Sequence, residues 1–354
     1  MPKIIFTGGG SAGHITLNLA LIPYFIKKGW QIDYIGSVNG MEQELIKKFP
    51  EVTYHGILTG KLRRYFSFKN FVDMLKIPCG CLQAIWLVHK INPDIIFSKG
   101  GFVSFPVVIG GFVNRKKIFM HESDLTPGLA NKMSLPFVST FFTTFAETID
   151  SIKQKQKVEC VGPVLSDRLF NGNKEKAAEF AHLKTDKPTI MFIGGSLGAQ
   201  SLNNAVAQNL PQLLAKYQVI HIAGKNGFNP DLKGEGYAQY EYVDKELKDL
   251  MALADVVISR AGSNSIFELA SLHKPMILVP LPNTASRGEQ TLNAKSFVKR
   301  GYAELVRDED ISNPEILLTT IETVYNNRQQ YIKEMIENPV KITNADDLSA
   351  RICF

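Results

Sequence analysis

The chain has 354 residues, 45% of them apolar and 21% charged, with a formal charge of +6. That length admits two domains and a large buried core, and the composition is that of a globular protein, not a disordered one. The mild positive balance does not point to nucleic acid. No apolar run reaches the roughly 20 residues of a membrane-spanning helix; the longest candidate, Phe102 to Val113, is interrupted by Ser104 and Pro106. Cys79, Cys81, Cys160 and Cys353 show no C-x-x-C spacing, and no signal-peptide pattern precedes the first apolar strand. Free thiols in a reducing cytoplasm are expected, with neither a zinc site nor a disulfide framework.

The chain opens on Ile4-Ile5-Phe6, a short buried strand, followed by Gly8-Gly9-Gly10-Ser11-Ala12-Gly13-His14 and a helical pattern from about Thr16. A helix entered this way aims free backbone N–H groups and the positive end of its dipole at whatever lies before it, and glycines let that backbone approach closely. An anion or nucleotide-sugar site is expected at the mouth of the strand. The spacing Gly8-x-Gly10-x-x-Gly13 also fits the dinucleotide fingerprint, which requires an acid at the tip of the second strand. That strand, Gln31 to Ile35, ends in Gly36-Ser37, and Asp33 lies inside it. The nicotinamide or flavin reading lacks its confirming residue.

Apolar positions Leu17, Ala20, Leu21 and Phe25 mark the first helix, with Pro23 inside it. A strand at 31–35, a helix near 40–48 and a strand around 52–57 continue an alternation that implies a parallel sheet covered on both faces. Residues 61–89 differ. Lys61, Arg63, Arg64, Lys69 and Lys76 oppose a single acid, Asp73, and interleave with Tyr65, Phe66, Phe68 and Phe71 before a helical run carrying Leu75, Leu82, Ile85 and Trp86. Two readings stand: an anionic membrane surface, or a helix with aromatics in the core and a solvated basic face.

The strand Asp94 to Ser98 opens into Lys99-Gly100-Gly101-Phe102, a second glycine-rich turn. The strand Lys116 to Met120 presents His121-Glu122-Ser123-Asp124. Ligands of open parallel sheets bind beyond the carboxyl ends of the strands, so His14, Phe102, His121, Glu122 and Asp124 are expected on one rim. Val161-Gly162-Pro163 closes the first half, and residues 171–188 read as a linker with one helical stretch.

Thr189 to Ile193 then runs into Gly194-Gly195-Ser196-Leu197-Gly198-Ala199-Gln200, repeating the opening device. This echo argues for two similar doubly wound α/β domains facing each other across a cleft. Strands are expected at 218–223 and 240–243. Asp255 to Ser259 leads into Arg260-Ala261-Gly262-Ser263-Asn264-Ser265 and a helix from Ile266 to Leu272. Glu268 then falls in the first helical turn, as a dipole-satisfying acid or as a carboxylate for two ribose hydroxyls. Pro275 to Pro280 reads as a buried strand followed by the loop Arg287-Gly288-Glu289-Gln290. Asp308-Glu309-Asp310 sits in a polar stretch and is expected to be solvated surface. The tail from 312 onward reads as largely helical.

Together these motifs resemble the MurG family of peptidoglycan glycosyltransferases (glycosyltransferase family 28), in its Gram-positive-type branch. They are Gly8 to His14, Ser98 to Ser104, His121 to Asp124 with Thr126 to Lys132, Gly194 to Gln200, Ser259 to Glu268, and Arg287 to Gln290 with Asn293-Ala294. The resemblance implies a GT-B fold of two Rossmann-like domains. Residues 1–163 would form the acceptor and membrane-associating domain and 164–335 the UDP-sugar domain. The tail 336–354 would be a helix returning to the first domain.

It further implies inverting transfer of N-acetylglucosamine from UDP-N-acetylglucosamine to lipid I, with no cofactor and no metal. Alternatives are a diacylglycerol-type lipid glycosyltransferase or a catalytically silent UDP-sugar-binding paralogue. His14 would be the general base, at a helix start whose dipole favours neutral imidazole, with Glu122 as the other candidate. Ser196 would lie at the pyrophosphate, Ser263 and Asn264 along the nucleotide, Glu268 at the ribose and Gln290 at the sugar, with Ser11, Ala12, Gly13 and Asp124 approaching that sugar. Ser166 stands where relatives carry an arginine, and Arg168 follows two residues on. The implied partners are UDP-N-acetylglucosamine, lipid I, anionic phospholipid and other cell-wall synthesis and division proteins, at the cytoplasmic face of the membrane.

Overall fold

The computed structural model describes residues 1–60, 68–165, 167–195, 198–282 and 286–353, with backbone alone at Ala12, 68–75 and Asp167. Backbone contacts divide the chain into two units, Met1–Ser166 with Lys341–Phe354, and Asp167–Val340.

In the first unit the apolar run at the start forms β1 (Lys3–Thr7), and a 3-10 turn at Ala12–His14 leads into α1 (Thr16–Lys27). The alternation continues through β2 (Gln31–Ser37), α2 (Met41–Ile46), β3 (Val52–Ile57), α3 (Phe68–Ile91), β4 (Ile95–Ser98) and α4 (Ser104–Val113). It ends with β5 (Lys117–Glu122), α5 (Leu129–Ser134), β6 (Thr140–Thr143) and β7 (Val158–Cys160). Among the described residues these strands make one seven-stranded parallel sheet, ordered β3-β2-β1-β4-β5-β6-β7. Its central strands β1 and β4 carry the unbroken apolar runs Ile4-Ile5-Phe6 and Ile95-Ile96-Phe97 because both faces are covered. On one face Leu21, Ile22 and Phe25 of α1 pack on Ile4 and Phe6, and on the other Ala84 and Val88 of α3 and Val107 and Val108 of α4 pack on Ile5 and Ile96. Asp33 is buried within β2, 2.7 Å from His55 of β3, so the strand tip carries no acid.

The second unit repeats the plan with α6 (Lys174–Ala181), β8 (Thr189–Ile193), α7 (Gln200–Lys216), β9 (Gln218–Ile222), β10 (Tyr237–Tyr240), α8 (Leu247–Leu253) and β11 (Val256–Ser259). It continues with α9 (Ser263–Ser271), β12 (Met276–Leu278), α10 (Glu289–Lys299), β13 (Ala303–Leu305), α11 (Pro314–Asn326) and α12 (Arg328–Glu337). The described strands are again parallel, ordered β10-β9-β8-β11-β12-β13. The last helix, α13 (Ala345–Cys353), belongs to the first unit, where Leu348 and Ile352 join the cluster around α1.

Several boundaries differ from the sequence reading. The strand expected at 240–243 runs over Tyr237–Tyr240, because pairing of Tyr237 with Val219 sets its register. The helix expected from Ile266 begins at Ser263, with Gly262 as its N-cap. Glu268 therefore lies in the second turn, beyond the first turn in which the dipole acts. The break between units falls after Ser166, since Val164 bridges to Thr343 in the first unit. It falls again after Val340, where the Tyr302 hydroxyl holds the Asn338 carbonyl in the second.

Of the basic-aromatic segment, Lys61, Arg63, Arg64, Tyr65 and Phe66 lie outside the described residues, as do the side chains of Phe68, Lys69, Phe71, Asp73 and Leu75. Farther along α3, Leu82 and Trp86 are exposed, and the Lys90 ammonium sits 5.0 Å above the Trp86 ring. Among the described residues no helix is long and apolar enough to cross a membrane. All four cysteines are free.

Candidate active site

The first unit presents its chemistry at the ends of β1, β4 and β5. The turn after β1 is pinned from below: the buried Asn18 amide donates to the Thr7 carbonyl (3.1 Å) and the Tyr34 hydroxyl to the Gly8 carbonyl (2.6 Å). Gly10 adopts φ +83° and Gly101, after β4, φ +85°, conformations that favour glycine. The two turns also leave no room for side chains. A Cβ on Gly10 would strike the Phe102 ring, and one on Gly101 would strike the Gly9 carbonyl and come within 3.1 Å of the His14 Cδ2. Phe102, Gly101 and His14 thus meet at one rim.

His14 is half-buried at the end of the 3-10 turn, one residue before Ile15, the N-cap of α1. Ser11 and Gly13 are exposed in the same turn, and the Ala12 backbone lies between them. Asp124 is half-buried, and its N–H donates to Glu122 Oε1 (3.1 Å).

Two residues expected on the rim lie beneath it. Glu122 is buried, and its carboxylate accepts from Asp124 N–H, from Gly128 N–H (3.0 Å) and from the Asn131 amide (2.9 Å). It holds the loop after β5 in place. His121 is buried with no hydrogen-bond partner for either ring nitrogen among the described residues, and burial first, then the Lys99 charge, pushes its pKa well down. The imidazole is neutral. Lys99, unremarked in the sequence except as part of a turn, is buried with its ammonium on Ser123 Oγ (2.7 Å). Burial lowers its pKa, while Glu122 and Asp124 act in the opposite sense.

The second unit carries a cavity of about 390 Å³ at the ends of β8 and β11. Gly194, Gly195, Gly198, Ala199 and Gln200 line one side, Arg260, Gly262, Ser265 and Glu268 another, and Gln290 a third. Leu169, Leu247, Met251, Leu269 and Leu272 supply an apolar flank. Gly198 has φ +84°, and a Cβ there would strike the Ala223 carbonyl. Ser196, in the same turn, lies outside the described residues. Desolvation raises the pKa of Glu268 to about 7. Gln290, in the first turn of α10, accepts through Oε1 from Leu281 N–H (3.0 Å). Ser263 is buried and Asn264 exposed at the start of α9, and it is Ser265 that lines the cavity beside them.

The expectation that Asp308-Glu309-Asp310 is solvated surface is corrected for Asp308. Its carboxylate pairs with the Arg260 guanidinium and accepts from Ser201 Oγ (2.5 Å). Arg260 also donates to Ser201 Oγ (2.9 Å) and to the Val279 carbonyl (3.1 Å). The triad ties the first turn of α7 to the ends of β11 and β13. Glu309 and Asp310 pair with the exposed Arg307 at 2.8 and 2.6 Å.

The profile of the glycosyltransferase family 28 N-terminal domain matches residues 4–143, and that of the C-terminal domain matches residues 189–352. The chain belongs to glycosyltransferase family 28. Among its relatives, the UDP-N-acetylglucosamine--N-acetylmuramyl-(pentapeptide) pyrophosphoryl-undecaprenol N-acetylglucosamine transferase of Geobacillus kaustophilus is 49% identical over 94% of this chain and 93% of its own length. The transferase of the same name from Clostridium tetani is 48% identical over 98% of this chain and 97% of its own. Among solved structures, Acinetobacter baumannii MurG superposes with a TM-score of 0.77 at 21% identity, covering 100% of this chain and 99% of that one. The calicheamicin glycosyltransferase CalG4 does so with a TM-score of 0.68 at 11% identity, covering 99% and 97%. These two share with this family 28 chain the GT-B architecture of two parallel-sheet domains.

The Arg260 triad generates a prediction. Asp308→Ala leaves a mostly buried guanidinium without its carboxylate, and the second unit is expected to lose about 3 kcal/mol, at the lower end for a broken buried pair. Asp310→Ala, which frees only an exposed arginine, is expected to cost less than about 1 kcal/mol. Denaturant unfolding of the two variants measures the contrast.

Proposed function

We propose that this chain is an inverting, metal-independent transferase that moves N-acetylglucosamine from UDP-N-acetylglucosamine to lipid I, the muramoyl-pentapeptide pyrophosphoryl-undecaprenol, to form lipid II. The observation that carries the proposal is near-complete alignment, at 49% identity, with a transferase named for that reaction. The donor belongs to the cavity of the second unit. Backbone N–H groups of Gly195 and Ala199, with Ser196 next in sequence, would receive the pyrophosphate, while the Gly194 N–H is held by the Ile222 carbonyl. Ser263 and Asn264 lie along the nucleotide, Glu268 accepts from the ribose hydroxyls, and Gln290 holds the sugar. Ser11, Ala12, Gly13 and Asp124 are the sugar-binding residues proposed for the first unit.

In the reaction the His14 imidazole takes the proton of the acceptor hydroxyl as that oxygen bonds to the anomeric carbon. The bond from that carbon to the UDP oxygen breaks, and UDP leaves with the electron pair. Amides aimed at phosphate receive the charge. Glu122 is the weaker candidate for the base because its carboxylate is buried and already accepts three N–H donors. Metal independence is supported by the D-x-D stretch Asp308-Glu309-Asp310, whose acids are engaged by Arg260 and Arg307.

The lipid acceptor requires the first unit to work at the cytoplasmic membrane face. Leu82 and Trp86 of α3 are exposed, and Phe112 and Val113 share a depression with Arg115, Lys116 and Lys157. Apolar side chains rimmed by cations suit an anionic bilayer surface.

Two outcomes test the roles. With a short-chain lipid I analogue, His14→Ala is expected to lower kcat by about 10²–10⁴-fold while the donor KM changes little. Loss in Glu122→Gln with retention in His14→Ala reassigns the base. The raised pKa of Glu268 sets a pH dependence. A carboxyl held near 7 must release its proton to accept from a ribose, so UDP-N-acetylglucosamine affinity is expected to fall about tenfold from pH 8 to pH 6. Calorimetry should show that dependence flattened in Glu268→Gln; the same slope in both proteins removes Glu268 from the site.

A further inference from the structure

Glu42, in the first turn of α2, is fully buried although nothing in its local sequence demands it. Its Oε1 accepts from the backbone N–H (2.8 Å) and the hydroxyl (2.5 Å) of Ser37, at the end of β2. Its Oε2 has no hydrogen-bond partner among the described residues. Gly9 and Gly40 make space for this carboxylate, and Gly36 makes space for its Cγ and for the Tyr54 hydroxyl. A Cβ on Gly9 would lie 2.6–2.8 Å from its carbon and both oxygens, a Cβ on Gly36 2.8 Å from its Cγ, and a Cβ on Gly40 would overlap Oε1. The side chain fills the gap between the end of β2 and the first glycine turn, and the opposite side of that turn bears on the second. The Gly9 carbonyl faces Gly101, whose missing Cβ would also meet His14 Cδ2 at 3.1 Å. Glu42, Gly9, Gly101 and His14 therefore stand in one close-packed row.

We infer that Glu42 is a positioning residue for the transfer: its carboxylate is a wedge that fixes the Gly8–Gly10 turn and, through it, the place of the His14 ring. The inference rests on the assignment of His14 proposed above. Close-packed interiors transmit displacement, and about 1 Å at a reacting group is enough to cost roughly 100-fold in rate. Gly9 is not held at positive φ, so alanine there tests space alone.

The test compares wild type, Glu42→Ala, Glu42→Gln, Gly9→Ala and the double variant Gly9→Ala/Glu42→Ala. Each is assayed as the full chain for transfer to a short-chain lipid I analogue, for donor KM and for thermal unfolding. Glu42→Ala and Gly9→Ala are each expected to lower kcat about 10–100-fold with donor KM nearly unchanged. Glu42→Gln, which keeps the acceptor for Ser37 and the volume, is expected to restore most of kcat. The double variant should lose less than the product of the single losses, because the new methyl occupies the space the carboxylate left.

Wild-type kcat in Glu42→Ala, multiplicative losses in the double variant, or a rise in donor KM matching the fall in kcat would each overturn the inference. Should Glu42→Ala fail to fold, Gly9→Ala and Glu42→Gln decide. Lost kcat in the first with retained kcat in the second supports the wedge, and any other pattern overturns it. Absence of transfer by the wild type contradicts the function itself and so takes the inference with it, whereas variants that behave like an active wild type contradict only the inference.

Discussion

The two glycine turns of the first unit interlock so closely that each occupies the space the other's side chains would need. The Phe102 ring sits where Gly10 would carry a Cβ, and the Gly9 carbonyl sits where Gly101 would carry one. This contact brings the half-buried imidazole of His14 beside the end of β4. It also explains glycine at positions 10 and 101, where φ is positive, and at Gly101 the obstructing atom is a backbone carbonyl, which cannot yield. The second unit repeats the device at Gly198, against the Ala223 carbonyl.

Beneath the turns the structure manages buried charge in two ways. In the first unit Lys99, Glu122 and Asp124 lie close together, and the neutral His121 beside them adds no further cation. In the second, the two terminal nitrogens of Arg260 are engaged by Asp308, Ser201 and the Val279 carbonyl, while its buried Nε has no hydrogen-bond partner among the described residues. A buried pair of this kind adds little net stability against an apolar alternative, but it holds geometry. Here it holds two strand ends and the start of α7 around the cavity of the second unit, while Glu268 is left in a setting that resists ionisation.

Much of this arrangement is legible in the residues themselves. Apolar runs ending in glycine locate β1, β4, β8 and β11, because strands buried on both faces must be apolar and a close turn must follow. The rim residue His14 and the cavity residue Glu268 follow such runs, whereas Gln290 is pointed to by the family resemblance alone. What escapes is whatever depends on partners distant in sequence. Asp308 looks like solvated surface because Arg260 lies 48 residues away. Glu42 looks like an ordinary first-turn acid until Gly9, from another strand end, is found against it. The register of β10 is set by pairing with β9, and its own sequence, Tyr-Ala-Gln-Tyr, is too mixed to declare its limits. Glu122 and His121 share a strand end with Asp124, yet only the structure shows that they point inward.

The proposed mechanism has strand-end amides and the His14 imidazole accomplish the transfer without a metal. The measurement that tests it most directly is transfer of labelled N-acetylglucosamine from UDP-N-acetylglucosamine to a short-chain lipid I analogue in excess EDTA. Undiminished formation of the disaccharide-lipid product is expected, with the new linkage inverted relative to the donor. Transfer abolished by EDTA and restored by a divalent cation, or a product that retains the donor's configuration, would contradict the mechanism.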